Sequence, residues 1–426
     1  MGRWRAALVG LAVVALVAAG CESTTDDDAD DDSGNESSTE EPATRTTRGV
    51  TDDSIKIGGI YFNVNFSGAD VGAEARVKRA NDEGGVNGRM IELVSVTHDN
   101  NDAGANLEEA RRLVTQEEVF AIAPVATAAA SGSVDFLIEE NVPFFGWGID
   151  PAFCGNEIGF GFTGCVTDPD LQKGSNALGT ALKENFDGDA DKTVSIVADD
   201  SDSGKGGLRL LTASLEDVGF SVPYAEATIP APPATTSDFT PFVNDLMTSS
   251  DGGAPDVILV QLSNLDAAGL SGALKAAGFD GLIITPLYSP LLLGSEQAAT
   301  DLDGTAVIMQ VQPYEVDPKP EALQQMLDDV AAVSPDEPLG LGLAAGYWSV
   351  DFFLSVLEAT GDDVTVETFL QTANDDFGWE AEDVIGPSTW PTNHDQPVPC
   401  AALPLVSDGA YVPNVDLVCG EVVDVE

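Results

Sequence analysis

The chain has 426 residues and carries 72 Asp and Glu against 18 Lys and Arg, a formal net charge of −54. A surface this acidic repels phosphate backbones, which excludes nucleic acid as a partner. Two histidines, His98 and His394, leave little room for His-based catalysis, while a hydrophobic content of 43% is ample for two domain cores.

Arg3 and Arg5 precede an apolar run from Ala7 to Gly20. That run is too short to cross a hydrocarbon core of about 30 Å comfortably. The small residues Ala18, Ala19 and Gly20 stand directly before Cys21. This is the layout of a secretory signal. A cysteine at that point resembles the bacterial lipoprotein signal, in which the cysteine receives lipid and becomes the new N-terminus. The alternative is an ordinary signal peptide with an incidental cysteine. Ten of the residues 22–41 are Asp or Glu. Such a stretch cannot bury enough apolar surface to fold, and its like charges extend it. The expectation is a signal over 1–20 and an acidic tether over 21–49.

The body opens with Ile55, Ile57 and Ile60 in a strand, followed by a helix over Ala69–Asn81. A strand at Ile91–Val96, a helix at Asn106–Gln116, a strand at Phe120–Pro124, the helix VDFLIEE and a strand at Val142–Gly146 continue the alternation. The pattern then restarts with a helix at Lys173–Asn185 and a strand at Thr193–Asp199. A helix at Gly206–Val218, the strand VPYAEATI, a helix at Phe239–Ser249, a strand at Asp256–Leu262, a helix at Ala267–Ala277 and the strand GLIITPLY follow. Strands alternating with helices imply βαβ units and parallel sheets. Three helices come next, at Glu321–Val333, Leu341–Ala359 and Thr365–Ala373, and then a Pro-rich irregular tail with short strand-like pieces at AALPLV and AYVPN. The fold class expected is α/β, two lobes in tandem with a chain that returns to the first. The segments are 50–166, 167–312, 313–376 and 377–426, with crossings near 165–168, 311–313 and 375–380.

Besides Cys21 there are Cys154, Cys165, Cys400 and Cys419. Export makes disulfides plausible, and four cysteines allow three pairings. The local pairs 154–165 and 400–419 are the simplest, each contributing about 3 kcal/mol in the chain-entropy model. The spacing does not suit zinc, and no metal or other cofactor is expected. The GKGG around Lys205 fails as a phosphate loop, because Asp199 stands where the first glycine belongs and no Ser or Thr follows the lysine. GxSxG is absent. An acid-based hydrolase is the one catalytic class left open.

GVTDDSIKIGGI, GGVNGRMIELVSVTHDN and EEARRLVTQEEVFAIAP, in that order, resemble the type I periplasmic binding protein family. More narrowly, they resemble the branched-chain amino acid (Leu/Ile/Val-type) substrate-binding proteins of ABC transporters. The resemblance runs from about Gly49 to the C-terminus. It implies two Rossmann-like lobes joined by three hinge crossovers, with a ligand between them and no chemistry performed on it. It also implies a monomer outside the cytoplasm, held to the membrane by lipid on Cys21, which delivers a small polar organic ligand to a permease. A binding protein that signals to a membrane receptor would look the same.

The resemblance places ligand contacts in loops after particular strands. In the first lobe these are Ala126, Thr127 and Ser131, then Trp147, Gly148, Ile149 and Asp150, with Asn63 and Phe66 from the first loop. Thr127 and Ser131 supply hydroxyls to a ligand carboxylate or else cap the helix near Ser133. Trp147 walls the pocket or packs in the core. In the second lobe the positions are Asp202 and Ser203, Ser263 and Asn264, and Tyr288. Where the family often has a tyrosine near Ser203, none is present. Where its amino-acid binders have an acid, Leu287, Tyr288 and Ser289 stand instead, which argues against an α-amino acid unless Asp150, Asp200 or Asp202 supplies the charge.

Overall fold

The computed structural model describes residues 47–168, 170–231, 234–286 and 288–425. The signal, Cys21 and nearly all of the tether lie outside the described residues.

The first lobe is built from β1 (Ser54–Tyr61), α1 (Ala69–Asp82), β2 (Met90–His98), α2 (Ala103–Thr115), β3 (Ala121–Ala126), α3 (Val134–Glu139), β4 (Phe144–Gly146) and β5 (Gly159–Gly161). Its sheet runs β2-β1-β3-β4-β5 with every neighbouring pair parallel. All six residues of β3 are buried, as a central parallel strand covered on both faces requires.

The second lobe follows with β6 (Lys173–Ser175), α4 (Ala177–Asn185), β7 (Thr193–Asp199), α5 (Asp202–Asp217), β8 (Ser221–Ile229), α6 (Thr240–Leu246), β9 (Val257–Gln261), α7 (Asn264–Ala276), β10 (Leu282–Thr285), α8 (Pro290–Leu293), α9 (Glu296–Leu302) and β11 (Ala306–Val307). The chain then forms α10 (Glu321–Val333), α11 (Leu341–Thr360), α12 (Val366–Ala373), β12 (Phe377–Ala381), β13 (Ile385–Trp390), β14 (Cys400–Ser407), β15 (Ala410–Cys419) and β16 (Val422–Asp424). The second sheet runs β15-β14-β11-β10-β9-β7-β8. Strands β7 to β11 pair in parallel, and β14 closes on β11 in the antiparallel sense.

Helix α11 fixes the return to the first lobe. Fourteen of its residues are buried, including Tyr347, Trp348, Phe352 and Phe353, so it is apolar almost all round, as a helix inside a core must be. It meets α1 at glycines. A Cβ on Gly72 would stand 2.3 Å from the Leu343 carbonyl oxygen, and one on Gly346 would stand 2.0 Å from that of Ala69.

Three expectations need correction. Residues 173–175 form β6 rather than a first helical turn. They pair antiparallel with β16, Lys173 opposite Asp424, and the helix begins at Ala177. The tail is not irregular: β14 and β15 form a hairpin of eight and ten residues, with Cys400 opposite Cys419. The prolines Pro404 and Pro413 hid this pattern. The third crossing also falls later than 375–380. The β12–β13 hairpin stays with the first lobe, where Trp379 and Trp390 pack 5.0 and 5.7 Å from Phe352. The chain enters the second sheet only at Cys400. Disulfides join Cys154 to Cys165 and Cys400 to Cys419.

Candidate functional site

The carboxyl ends of parallel strands, with the turns that follow them, are where an open α/β sheet offers backbone groups to a solute. In the first lobe those turns follow β1, β3 and β4. Trp147 leaves β4 and packs 5.7 Å from Phe66 of the first turn and 5.1 Å from Phe162. Its indole Nε1 donates to Gln310 Oε1, 2.8 Å away on the crossover from the second lobe. Trp147 and Phe66 are both buried. Gly148 takes φ 84°, and a Cβ there would stand 2.1 Å from the Gly164 carbonyl oxygen, so this turn requires glycine. The Ile149 carbonyl accepts from Thr167 Oγ1 at 2.5 Å and ties the turn to the first crossover.

The polar residues expected here are largely engaged by the protein itself. Thr127 is fully buried, and its hydroxyl accepts from Ala129 N at 3.2 Å and lies 3.4 Å from Asn101 Oδ1. It does not cap α3, whose N-cap Ser133 donates instead to the Ala130 carbonyl at 3.2 Å. Ser131 donates to Asp150 Oδ1, which also accepts from Ala152 N at 2.8 Å. Asp150 thereby starts the short turn Pro151–Phe153. Burial pushes its carboxyl above the usual range, against the pull of these donors. Ala126 ends β3 with its carbonyl accepting from Phe62 N at 2.8 Å, and Asn63 is exposed in the turn after β1.

In the second lobe Asp202 and Ser203 open α5, whose N-cap Ser201 accepts from Gly204 N at 2.9 Å. Ser263 is the exposed N-cap of α7, 3.4 Å from Asp266 Oδ2, and Asn264 begins that helix. Tyr288, after β10, is 1% exposed. Its ring stacks on Tyr411 at 3.9 Å and lies 5.6 Å from Tyr314. Its hydroxyl donates to Glu315 Oε1 at 2.5 Å, and burial, followed by the charge of Glu315, pushes that hydroxyl far above its ordinary value.

The two lobes meet at this point. A cavity of about 20 Å³ is lined by Val64, Asn65 and Ser67, by Tyr288, Ser289 and Pro290, and by Gly340 and Leu341. That space admits about one water molecule. Phe66, Trp147, Tyr288 and Leu293 belong to one continuous apolar core. The resemblance implies a ligand between the lobes; along this stretch the facing surfaces are packed together, with room for about one water.

The sequence reading missed Gln310, Gln312, Tyr314, Glu315 and Tyr411. Gln312 bonds to both neighbours of its crossover, donating its N–H to Val384 O at 2.8 Å and accepting from Leu417 N at 2.7 Å. Among the described residues no group of three or more His, Cys, Asp or Glu side chains is placed to hold a metal, and no helix is long and apolar enough to cross a membrane.

Comparison with known proteins agrees with this architecture. No curated protein matches the chain in sequence. Among solved structures, the fatty acid ABC transporter substrate-binding protein from Thermomonospora curvata is 19% identical with a TM-score of 0.68, over 89% of this chain and 95% of that one. The branched-chain amino acid transporter substrate binding protein LivJ from Streptococcus pneumoniae, in complex with isoleucine, is 20% identical with a TM-score of 0.66, over 86% and 100%. A solute binding protein of an ABC transporter from R. palustris, in complex with benzoate, is 17% identical with a TM-score of 0.64, over 86% and 98%. At these identities the likeness is one of fold. The family model described as periplasmic binding protein matches residues 55–410, and the chain belongs to that family.

Proposed function

We propose that this protein captures a small organic solute between its two lobes outside the cytoplasm and delivers it to an ABC permease, without chemistry on the solute. The observation that carries the reading is the meeting of strand-end turns from both sheets around Phe66, Trp147 and Tyr288, with crossovers that pin both lobes. Turns on two bodies joined only by crossovers can part and close by hinge motion. The structural relatives bear names that cite fatty acid transport or complexes with isoleucine and benzoate. Each of those molecules joins a carboxylate to an apolar body, and the buried aromatic walls here suit an apolar body as well. The segments 50–166 and 313–394 would move as one lobe, and 167–312 with 400–425 as the other. The charged stretch 21–49 would act as a tether from lipid on Cys21, and the protein would work as a monomer.

Thermal melting of the full chain with a panel of solutes tests the capture reading. A ligand at one hundred times its Kd adds about 2.7 kcal/mol of stability and raises Tm by several degrees. If none of a broad panel of amino acids, amides, amines, fatty acids and aromatic acids shifts Tm, the reading is wrong. Replacement Cys21→Ser should move the protein from the membrane to the soluble fraction of its cells; retention in the membrane fraction would dismiss the anchor.

A further inference from the structure

The crossover from the second lobe into α10 brings a carboxylate to the interlobe face. Glu315 Oε1 accepts from the Tyr288 hydroxyl. Its other oxygen, Oε2, is buried and has no hydrogen-bond partner. A buried polar atom without a partner destabilises the fold, the more so when it is charged. No ion pair among the described residues includes Glu315. Three tyrosine rings pack together beside it: Tyr288, which holds Oε1, stacks on Tyr411 and tilts against Tyr314. Ring faces attract cations and do nothing for anions. The other two hydroxyls are committed elsewhere, since Tyr411 accepts from Ser289 N at 2.7 Å and Tyr314 donates to the Gly340 carbonyl at 2.9 Å. Tyr288 also lines the small interlobe cavity, so whatever parts Tyr288 from Gly340 and Leu341 opens a path toward the carboxylate.

From this arrangement we infer that Glu315 is the anionic partner of the captured solute, which carries a protonated amine or a quaternary ammonium group. The inference rests on the interlobe capture proposed above and narrows its ligand class. Tyr288 holds one carboxylate oxygen in place and leaves the other for the cation. The tyrosine rings supply the remaining wall, and closure moves the pair out of water into a low-dielectric site, where opposite charges attract more strongly.

Calorimetry and thermal melting of the full chain test it. The probes are choline, ethanolamine and putrescine, with 3,3-dimethyl-1-butanol as the uncharged match for choline, and with acetamide and benzoate as solutes of other classes. At least one amine is expected to raise Tm, and the uncharged match to leave it unchanged. Glu315→Gln is expected to weaken that amine at least tenfold while near-UV circular dichroism stays native. Should Glu315→Gln not fold, Glu315→Asp, which shortens the reach by one methylene, is expected to weaken the same amine by several-fold. Equal affinity for the amine in the native-like variant overturns the assignment, as does equal stabilisation by the uncharged match. If acetamide or benzoate shifts Tm and no amine does, the cation assignment falls and interlobe capture stands. If no probe shifts Tm, the cation assignment falls, and capture itself is decided by the broader panel.

Discussion

His394 offers a sharp test of how the third crossover is held. It ends the turn Thr392–His394, with its ring 4.6 Å from Trp390 and 5.2 Å from Phe160. Its Nε2 lies 2.7 Å from Asn374 Oδ1, which only accepts, so Nε2 carries the proton. Burial pushes the imidazole down from 6.5 to about 4. The folded chain therefore keeps this ring neutral at a pH where the unfolded chain already protonates it. Between those two values the unfolded state binds more protons, so stability falls as pH falls. The contribution is complete above pH 6.5 and gone below about 4. At about 1.4 kcal/mol per pH unit the whole effect is about 3 kcal/mol, of which about 2.5 kcal/mol is lost by pH 4.5. Carboxylates titrate in the same range, so the measurement is a difference. Urea unfolding of the wild type and of His394→Gln, at pH 7 and at pH 4.5, isolates the imidazole. The advantage of the wild type should shrink by about 2.5 kcal/mol between the two conditions. An advantage that is the same at both pH values would refute the claim that the ring is buried and neutral.

Two further substitutions probe the packing of the first lobe. Gly346→Ala sets a methyl 2.0 Å from a backbone oxygen of α1, which cannot swing aside as a side chain would. The helix gains about 1 kcal/mol of propensity and loses more to overpacking, so chemical denaturation should show a net loss of about 2 kcal/mol; an unchanged midpoint would mean the helices stand farther apart. Asp351 accepts from Arg76 Nε at 2.7 Å and from Trp379 Nε1 at 3.2 Å, and Arg76 Nη1 is already buried without a partner. Asp351→Asn leaves that guanidinium without its counter-charge and should cost about 3 kcal/mol, while the double change Arg76→Met with Asp351→Leu should recover most of it; equal losses in both proteins would show that packing, and not charge, is what Asp351 provides.

The parts of this molecule that the sequence displays are those governed by a local period. The alternation of β1, α1, β2, α2 and β3 is visible because Ile55 and Ile57, then Ala73, Val77 and Ala80, repeat with the spacing of a strand and of a helix, and each of them is buried. The long α11 is visible instead by its length and its apolar residues all round, which suit a helix inside a core. The β14–β15 hairpin is not, because Pro404 and Pro413 break the alternation and strand pairing supplies what propensity withholds. Lys173–Ser175 is strand only because Val422–Asp424 arrives to pair with it, Asp424 standing 251 positions after Lys173. The site divides along the same line. Phe66, Trp147 and Tyr288 stand in turns after strands, where the order of elements puts them near one another. Thr127, Ser131 and Asp150 stand there too, but their hydroxyls and carboxylate bond within the lobe, and residue type alone does not reveal which polar group is already satisfied. Glu315 lies at the far end of that scale. The run QPYEVDP has no period to say which side chain faces inward. Its carboxylate meets a tyrosine 27 positions earlier because β10 and the crossover end on the same side of the second sheet. Topology, not local spacing, brings the two together.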